Sequence, residues 1–212
     1  MRKFFIFGAI ALFANCIISC SSCKNEEEEN VNTEVIAESI NVEKVIKFDK
    51  EYMFMNYQKE DYRWFEACVL LEDYLDSEEC DGTVSGVSDI YQVVTERAKG
   101  YDTQVILFSH KTDTTTIDVK DAFFVGDFPL NEENIILTFE EAFEKVMETN
   151  APKPHSRQVV LRKEIGPKVC NPQYIFGNKK AQLYVDAVTG EVSDINPAFG
   201  DLYVGKPLGE WP

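Results

Sequence analysis

The chain has 212 residues, 21 of them basic and 37 acidic, giving a formal net charge of −16. That charge repels phosphate backbones and anionic membrane surfaces, so nucleic acid is excluded as an expected partner and a basic membrane-binding patch is not the means of attachment. With 44% hydrophobic and 12% aromatic residues the body can build a core, and its length suits one domain or two small fused repeats.

In chain order the first element is an address. Arg2 and Lys3 precede an apolar run over residues 4–14, and Ile17-Ile18-Ser19-Cys20 follows. A cationic start, a short apolar segment and small residues make a secretory signal peptide, since a membrane span needs about 20 apolar residues. Ile17-Ile18-Ser19-Cys20 resembles a bacterial lipobox, with Ile18 bulkier than usual at its place. The resemblance implies cleavage before Cys20, diacylglycerol on its sulfur and a further acyl chain on its new amine. Two or more acyl chains give a lasting membrane anchor. Cys23 is the alternative acceptor, but its upstream Cys20-Ser21-Ser22 lacks an aliphatic residue. Lys24-Asn25 and Glu26 to Glu29 then read as a solvated tether over 20–33, or as the surface-export signal of some Gram-negative outer-membrane lipoproteins, which they resemble. The expected location is therefore the cell envelope, on the periplasmic or the surface side of the outer membrane. Loss of the signal peptide takes the net charge to −18.

Cys68, Cys80 and Cys170 lie in the body. The envelope permits disulfides and a Cys68–Cys80 bridge is open, with no geometry to fix it. The body cysteines make no Cys-x-x-Cys pair, the one such spacing being Cys20-Ser21-Ser22-Cys23 at the lipid-acceptor candidates, which removes zinc-ribbon and thioredoxin-type readings of the body.

Residues 41–57 have no clean period and are read as short strands or a connecting arm. Residues 61–76 fit two templates. Trp64, Cys68, Leu71 and Leu75 share a helix face, while Phe65, Ala67, Val69 and Leu71 alternate as in a strand. Length tips the reading to helix. An acidic stretch ends in the turn signal Asp81-Gly82, and runs at 87–96, 103–110 and 114–125 follow with short linkers, an antiparallel meander.

Thr138-Phe139-Glu140-Glu141 is a capping box. Phe139, Ala142, Phe143, Val146 and Met147 then make one apolar stripe on a helix of about three turns. Asn150 is expected to end it in the left-handed region, with Pro152 and Pro154 stopping any extension. Strands are expected at 157–165, at 173–176, at 181–186 after a hairpin turn over 177–180, and near Val192. The Gly- and Pro-rich stretch 195–212 carries Phe199, Leu202, Tyr203, Leu208 and Trp211, and is read as a strap packed back on the domain.

Tyr184-Val185-Asp186-Ala187-Val188-Thr189-Gly190-Glu191-Val192 stands at the end of this unit. Asp186 can accept from the amides that follow it, and Gly190 can take positive φ at no steric cost. Together with the capped helix upstream, residues 138–194 resemble a PepSY domain, whose unit is a helix followed by antiparallel strands with a Val-Asp-x-x-Thr-Gly-x-Val turn before the last. The resemblance implies an α+β fold with a helix packed on an antiparallel β-meander. The order of elements over 34–130 raises a second, diverged copy; two such units side by side are similar to the β-lactamase-inhibitor-like fold. PepSY units occur in protease propeptides and envelope lipoproteins, so the implied role is binding a protein or peptide, with protease inhibition or modulation as one form of it.

No residue set points to catalysis. His110 and His155 are the two histidines, each beside a serine, but adjacency in sequence is not a triad and no Gly-x-Ser-x-Gly elbow exists. His110, at the end of a meander strand, and His155, in a Pro-rich loop, are read as structural polar loop residues. Cys68 and Cys170 lack a local base signature, and residues 77–82 resemble a calcium loop only in Asp81-Gly82, with Ser77 where the first carboxylate belongs. No catalytic residue, metal ligand or cofactor is expected. A hydrolase with a site assembled from distant residues, or a structural subunit of an outer-membrane complex, are the other readings.

Overall fold

A computed structural model describes residues 39–97, 100–124 and 127–200. The expected signal peptide, both lipid-acceptor candidates, the expected tether and most of the expected strap lie outside the described residues. Two helices, α1 (Val42–Tyr57) and α2 (Phe139–Glu148), pack on one face of a nine-stranded antiparallel sheet that does not close. The strands are β1 (Asp61–Leu71), β2 (Val84–Arg97), β3 (Gly100–Lys111), β4 (Thr114–Asp121), β5 (Asp127–Phe128), β6 (Gln158–Glu164), β7 (Gln173–Asn178), β8 (Ala181–Asp186) and β9 (Val192–Ser193). The chain is thus α+β.

The strand order is β4-β3-β2-β1-β6-β7-β8-β9, with the two-residue β5 on β6. Each half is a helix followed by four strands that step outward, and the halves join where β1 pairs with β6. One transverse row crosses the helix-covered face: Ile117, Phe108, Asp89, Ala67, Leu161, Tyr174, Val185 and Val192 are successive cross-strand partners. Seven of these eight belong to or flank the core; Ile117, on the outermost strand, is 37% exposed.

Two of the expected elements are corrected. Residues 61–71 form the central strand rather than a helix. Ala67, Val69 and Leu71 point to the core, and a bulge between Trp64 and Glu66 lets Trp64 and Phe65 both be buried. Cross-strand burial on both sides outweighed the helical spacing of Trp64, Cys68, Leu71 and Leu75. Residues 42–57, read as strands or an arm, are a 16-residue helix capped by Asn41, whose side chain accepts from the Lys44 amide at 2.9 Å. The helix-then-meander order of the first half is present, with its helix one element earlier than expected.

α2 has the expected cap. Thr138 Oγ1 accepts from the Glu141 amide at 3.2 Å, and Glu141 Oε2 accepts from the Thr138 amide at 2.8 Å. Its end differs from expectation. Thr149 is extended at φ −72° and ψ 146°, and no described non-glycine residue has positive φ, so Asn150 makes no left-handed cap. Cys68, Cys80 and Cys170 are free thiols. The first residues of the strap do pack: Ala198 is fully buried and its carbonyl accepts from the Lys168 amide at 3.0 Å.

Candidate functional site

The turn Asp186-Ala187-Val188-Thr189-Gly190 is tightly tied. Asp186 Oδ1 accepts from the amides of Val188 and Thr189, each at 2.9 Å, and the Asp186 carbonyl accepts from the Gly190 amide at 2.8 Å. Gly190 has φ +73°. Asn171 and Gln173 donate to the same carboxylate. Burial works against its charge, but these donors outweigh it and hold Asp186 below the usual carboxylate range. Both carboxylate oxygens of Asp186 accept from the chain's own donors, and the turn is an architectural joint: the Ala187 carbonyl accepts from the amides of Ile136 and Leu137, which lead into α2.

That joint positions a groove. Between α1 and the segment 132–138 lies a hollow of about 450 Å³, walled by Ile46 and Lys50 on one side and by Ile135 and Leu137 on the other, with Trp64, Leu161 and Tyr174 on its floor. It sits over the β1–β6 junction. Two contacts set its width. Glu43 Oε1 of α1 accepts from the Phe139 amide, the first of α2, at 2.9 Å, where a helix N-terminus favours a carboxylate. Lys50 Nζ meets Glu132 Oε1 at 2.9 Å across the groove and lies 4.6 Å from the centre of the Trp64 ring. Tyr174 completes the floor by donating its hydroxyl to the Leu137 carbonyl at 2.9 Å. A second hollow of about 440 Å³ continues past Lys50 and Trp64 toward Tyr62 and Glu133.

Trp64 also connects the groove to a buried acid cluster. Its Nε1 donates to Asp89 Oδ1 at 2.9 Å. Asp89 and Asp49 are both fully buried. His110 Nε2 lies 2.9 and 3.0 Å from the two oxygens of Asp49, and His110 Nδ1 lies 3.0 Å from Thr115 Oγ1. Burial, then the neighbouring Asp89, push Asp49 up to about 9, and burial pushes Asp89 up to about 6. Burial likewise lowers His110. A neutral imidazole and a protonated Asp49 satisfy the geometry: Thr115 donates to Nδ1, Nε2–H donates to Asp49, and Asp49 donates to Asp89, whose Oδ2 has no other donor. The charge that remains is on Asp89, offset by Trp64 and by Lys50 in the groove above.

His110 stands at the end of a meander strand as expected, but it is buried in the core rather than a polar residue of a loop. His155 is in the expected Pro-rich loop, stacked on Tyr74 and 3.0 Å from Asp76. The order hydroxyl, imidazole, carboxylate at Thr115, His110 and Asp49 is that of a nucleophilic relay, but Thr115 lines none of the grooves above. Sequence reasoning missed the cluster because Asp49 and His110 are 61 residues apart; the available signal was an acid in the core-facing row of α1. Among the described residues no group of His, Cys, Asp and Glu could hold a metal ion, and no helix is long and apolar enough to cross a membrane. Comparison with family models, curated proteins and solved structures finds no match for this chain.

Proposed function

We propose that this chain is an envelope lipoprotein, anchored through acylated Cys20, whose PepSY-like body binds a protein or peptide segment in the groove over the β1–β6 junction. The groove carries the reading. It is walled by apolar side chains from both halves, and the Glu43 hydrogen bond and the Lys50–Glu132 ion pair set its width. A concave, mostly apolar site with a few placed polar groups is the ordinary form of a binding site. The Ile136 side chain, 65% exposed at the groove rim, offers an anchor for an incoming apolar residue. The PepSY-like reading is supported by the order of a capped helix, four strands and the Asp186–Gly190 turn. Inhibition or modulation of a protease is the form of binding that the resemblance brings first.

The test is crosslinking in intact envelopes followed by pull-down of the lipidated protein, comparing the wild-type chain with Ile136→Glu. Recovery of a protease that depends on Ile136 supports modulation. Recovery of glycan-uptake machinery points to a structural subunit instead, and recovery unaffected by Ile136→Glu moves the binding surface away from the groove.

A further inference from the structure

The outer strand of the first half is an open edge among the described residues. β4 pairs with β3 in unbroken register from Gln104↔Asp121 to Lys111↔Thr114, and among the described residues no strand pairs with its other side. All eight of its residues are exposed. Edge strands are usually blunted by proline, bulges, brevity or several charges. β4 has no proline and no bulge; it carries the charges of Asp118, Lys120 and Asp121, and it presents Ile117 and Val119, 37% and 46% exposed, on the helix-covered face, the face on which Phe48 of α1 is 52% exposed.

The charges on β4 select a partner. Asp118 and Lys120 lie on the opposite face, two residues apart, with Val119 between them, and they contact one another at 3.0 Å. When two copies of β4 pair antiparallel about Val119, Asp118 of each falls opposite Lys120 of the other, giving two cross-strand ion pairs. Val119 then meets Val119, and the apolar faces of both sheets stay on one side. Centring the pair on Asp118 or on Lys120 instead sets like charges opposite one another, which is unfavourable. Asp121, which falls opposite Ile117, is held by Gln104 Nε2 at 3.0 Å on its own sheet.

We propose that β4 is the interface of a symmetric dimer, in which a second copy of this chain adds its own β4 antiparallel about Val119 and the two sheets become continuous. The occupant is a second copy because the strand is electrostatically self-complementary in one register. This interface is separate from the groove, so either can fail without the other.

The test is Val119→Cys in the full-length chain, oxidised in intact envelopes and analysed on non-reducing gels, with mass spectrometry of the linkage. The paired strands set the two 119 positions opposite one another, within disulfide reach. Thr116→Cys is the control, since its two copies would be about 20 Å apart along the strands. The expected result is a 119–119 linked dimer that Thr116→Cys and the wild-type chain do not give. In the Val119→Cys background, Asp118→Lys or Lys120→Asp alone makes both cross-strand pairs like-charged and should lower dimer yield by about tenfold. The double swap should restore it. These residues are exposed, so the variants keep the fold. Equal dimer from Thr116→Cys, linkage of residue 119 to a different protein, or no restoration by the double swap would overturn the proposal.

Discussion

Asp49 of α1 meets His110 of β3 at 2.9 Å in the core, and the contact ties the first helix to the sheet beneath it. Phe48 lies edge-on to the same imidazole, and Tyr52 packs edge-on against Phe108 two residues before it. The helix is thus seated by one buried polar contact with aromatic contacts around it, and Lys50, one residue on from Asp49, turns out into the groove.

The cluster makes stability depend on pH in a defined sense. Asp49 is raised to about 9, so the folded chain holds a proton that the unfolded chain releases above about pH 4. That contribution is fully present below the unfolded value and is lost as pH rises toward 9. Asp89 acts in the same sense only up to about 6, and His110, lowered by burial, acts in the opposite sense around its ordinary value. Between about pH 7 and 8, below the range in which the thiols of Cys68, Cys80 and Cys170, also raised by burial, add to it, the Asp49 proton dominates. Stability should fall across that window with a slope of at most about 1.4 kcal/mol per pH unit. Asp49→Asn can still accept from His110 and donate to Asp89, and should flatten the slope. Urea unfolding of both proteins at several pH values checks this, and an unchanged slope in Asp49→Asn would show that the proton lies elsewhere.

The α2 cap is a stability element that can be isolated. Thr138→Ala removes the acceptor for the Glu141 amide and should cost about 0.5–2 kcal/mol in denaturant unfolding. Glu43→Gln keeps an acceptor for the Phe139 amide but loses the charge at the helix N-terminus, and should cost about 0.3–1 kcal/mol, less at high salt.

Gly190→Ala should destabilise by roughly 1–2 kcal/mol, because φ +73° is the left-handed region. A Cβ there also meets the flexible end of Lys145, which can move aside. If Gly190→Ala unfolds at the wild-type midpoint, the turn has relaxed and is not the joint described.

Anchorage is a separate prediction. Cys20→Ala should abolish acyl labelling in a bacterial envelope, and labelling that persists would move the acceptor to Cys23.

The second half was the more legible in the sequence. Its helix has a capping box and an uninterrupted stripe, Phe139, Ala142, Phe143 and Val146, all buried. Its strands are set off by the Lys179-Lys180 hairpin and the Asp186–Gly190 turn. The first half hid both its helix and its site for one reason. In α1 the core-facing row reads Val42, Ile46, Asp49, Met53, with an acid at its middle, while Phe48, Phe54 and Met55 are exposed. A buried acid and exposed aromatics erase the period on which helix recognition rests. Length favours a helix over 61–76, and the bulge at Trp64–Glu66 blurs the alternation that marks β1. The groove was not legible, since its walls come from residues about 90 apart and its floor from both halves of the sheet.

The most direct measurement of the binding reading is site-specific photo-crosslinking in intact cells, with the photoreactive residue at Ile136 on the groove rim or at Val169, which is 91% exposed and away from the groove. A discrete adduct with a partner protein from Ile136 and none from Val169 is the predicted result. The same adducts from both positions, or none from Ile136, would contradict binding in the groove.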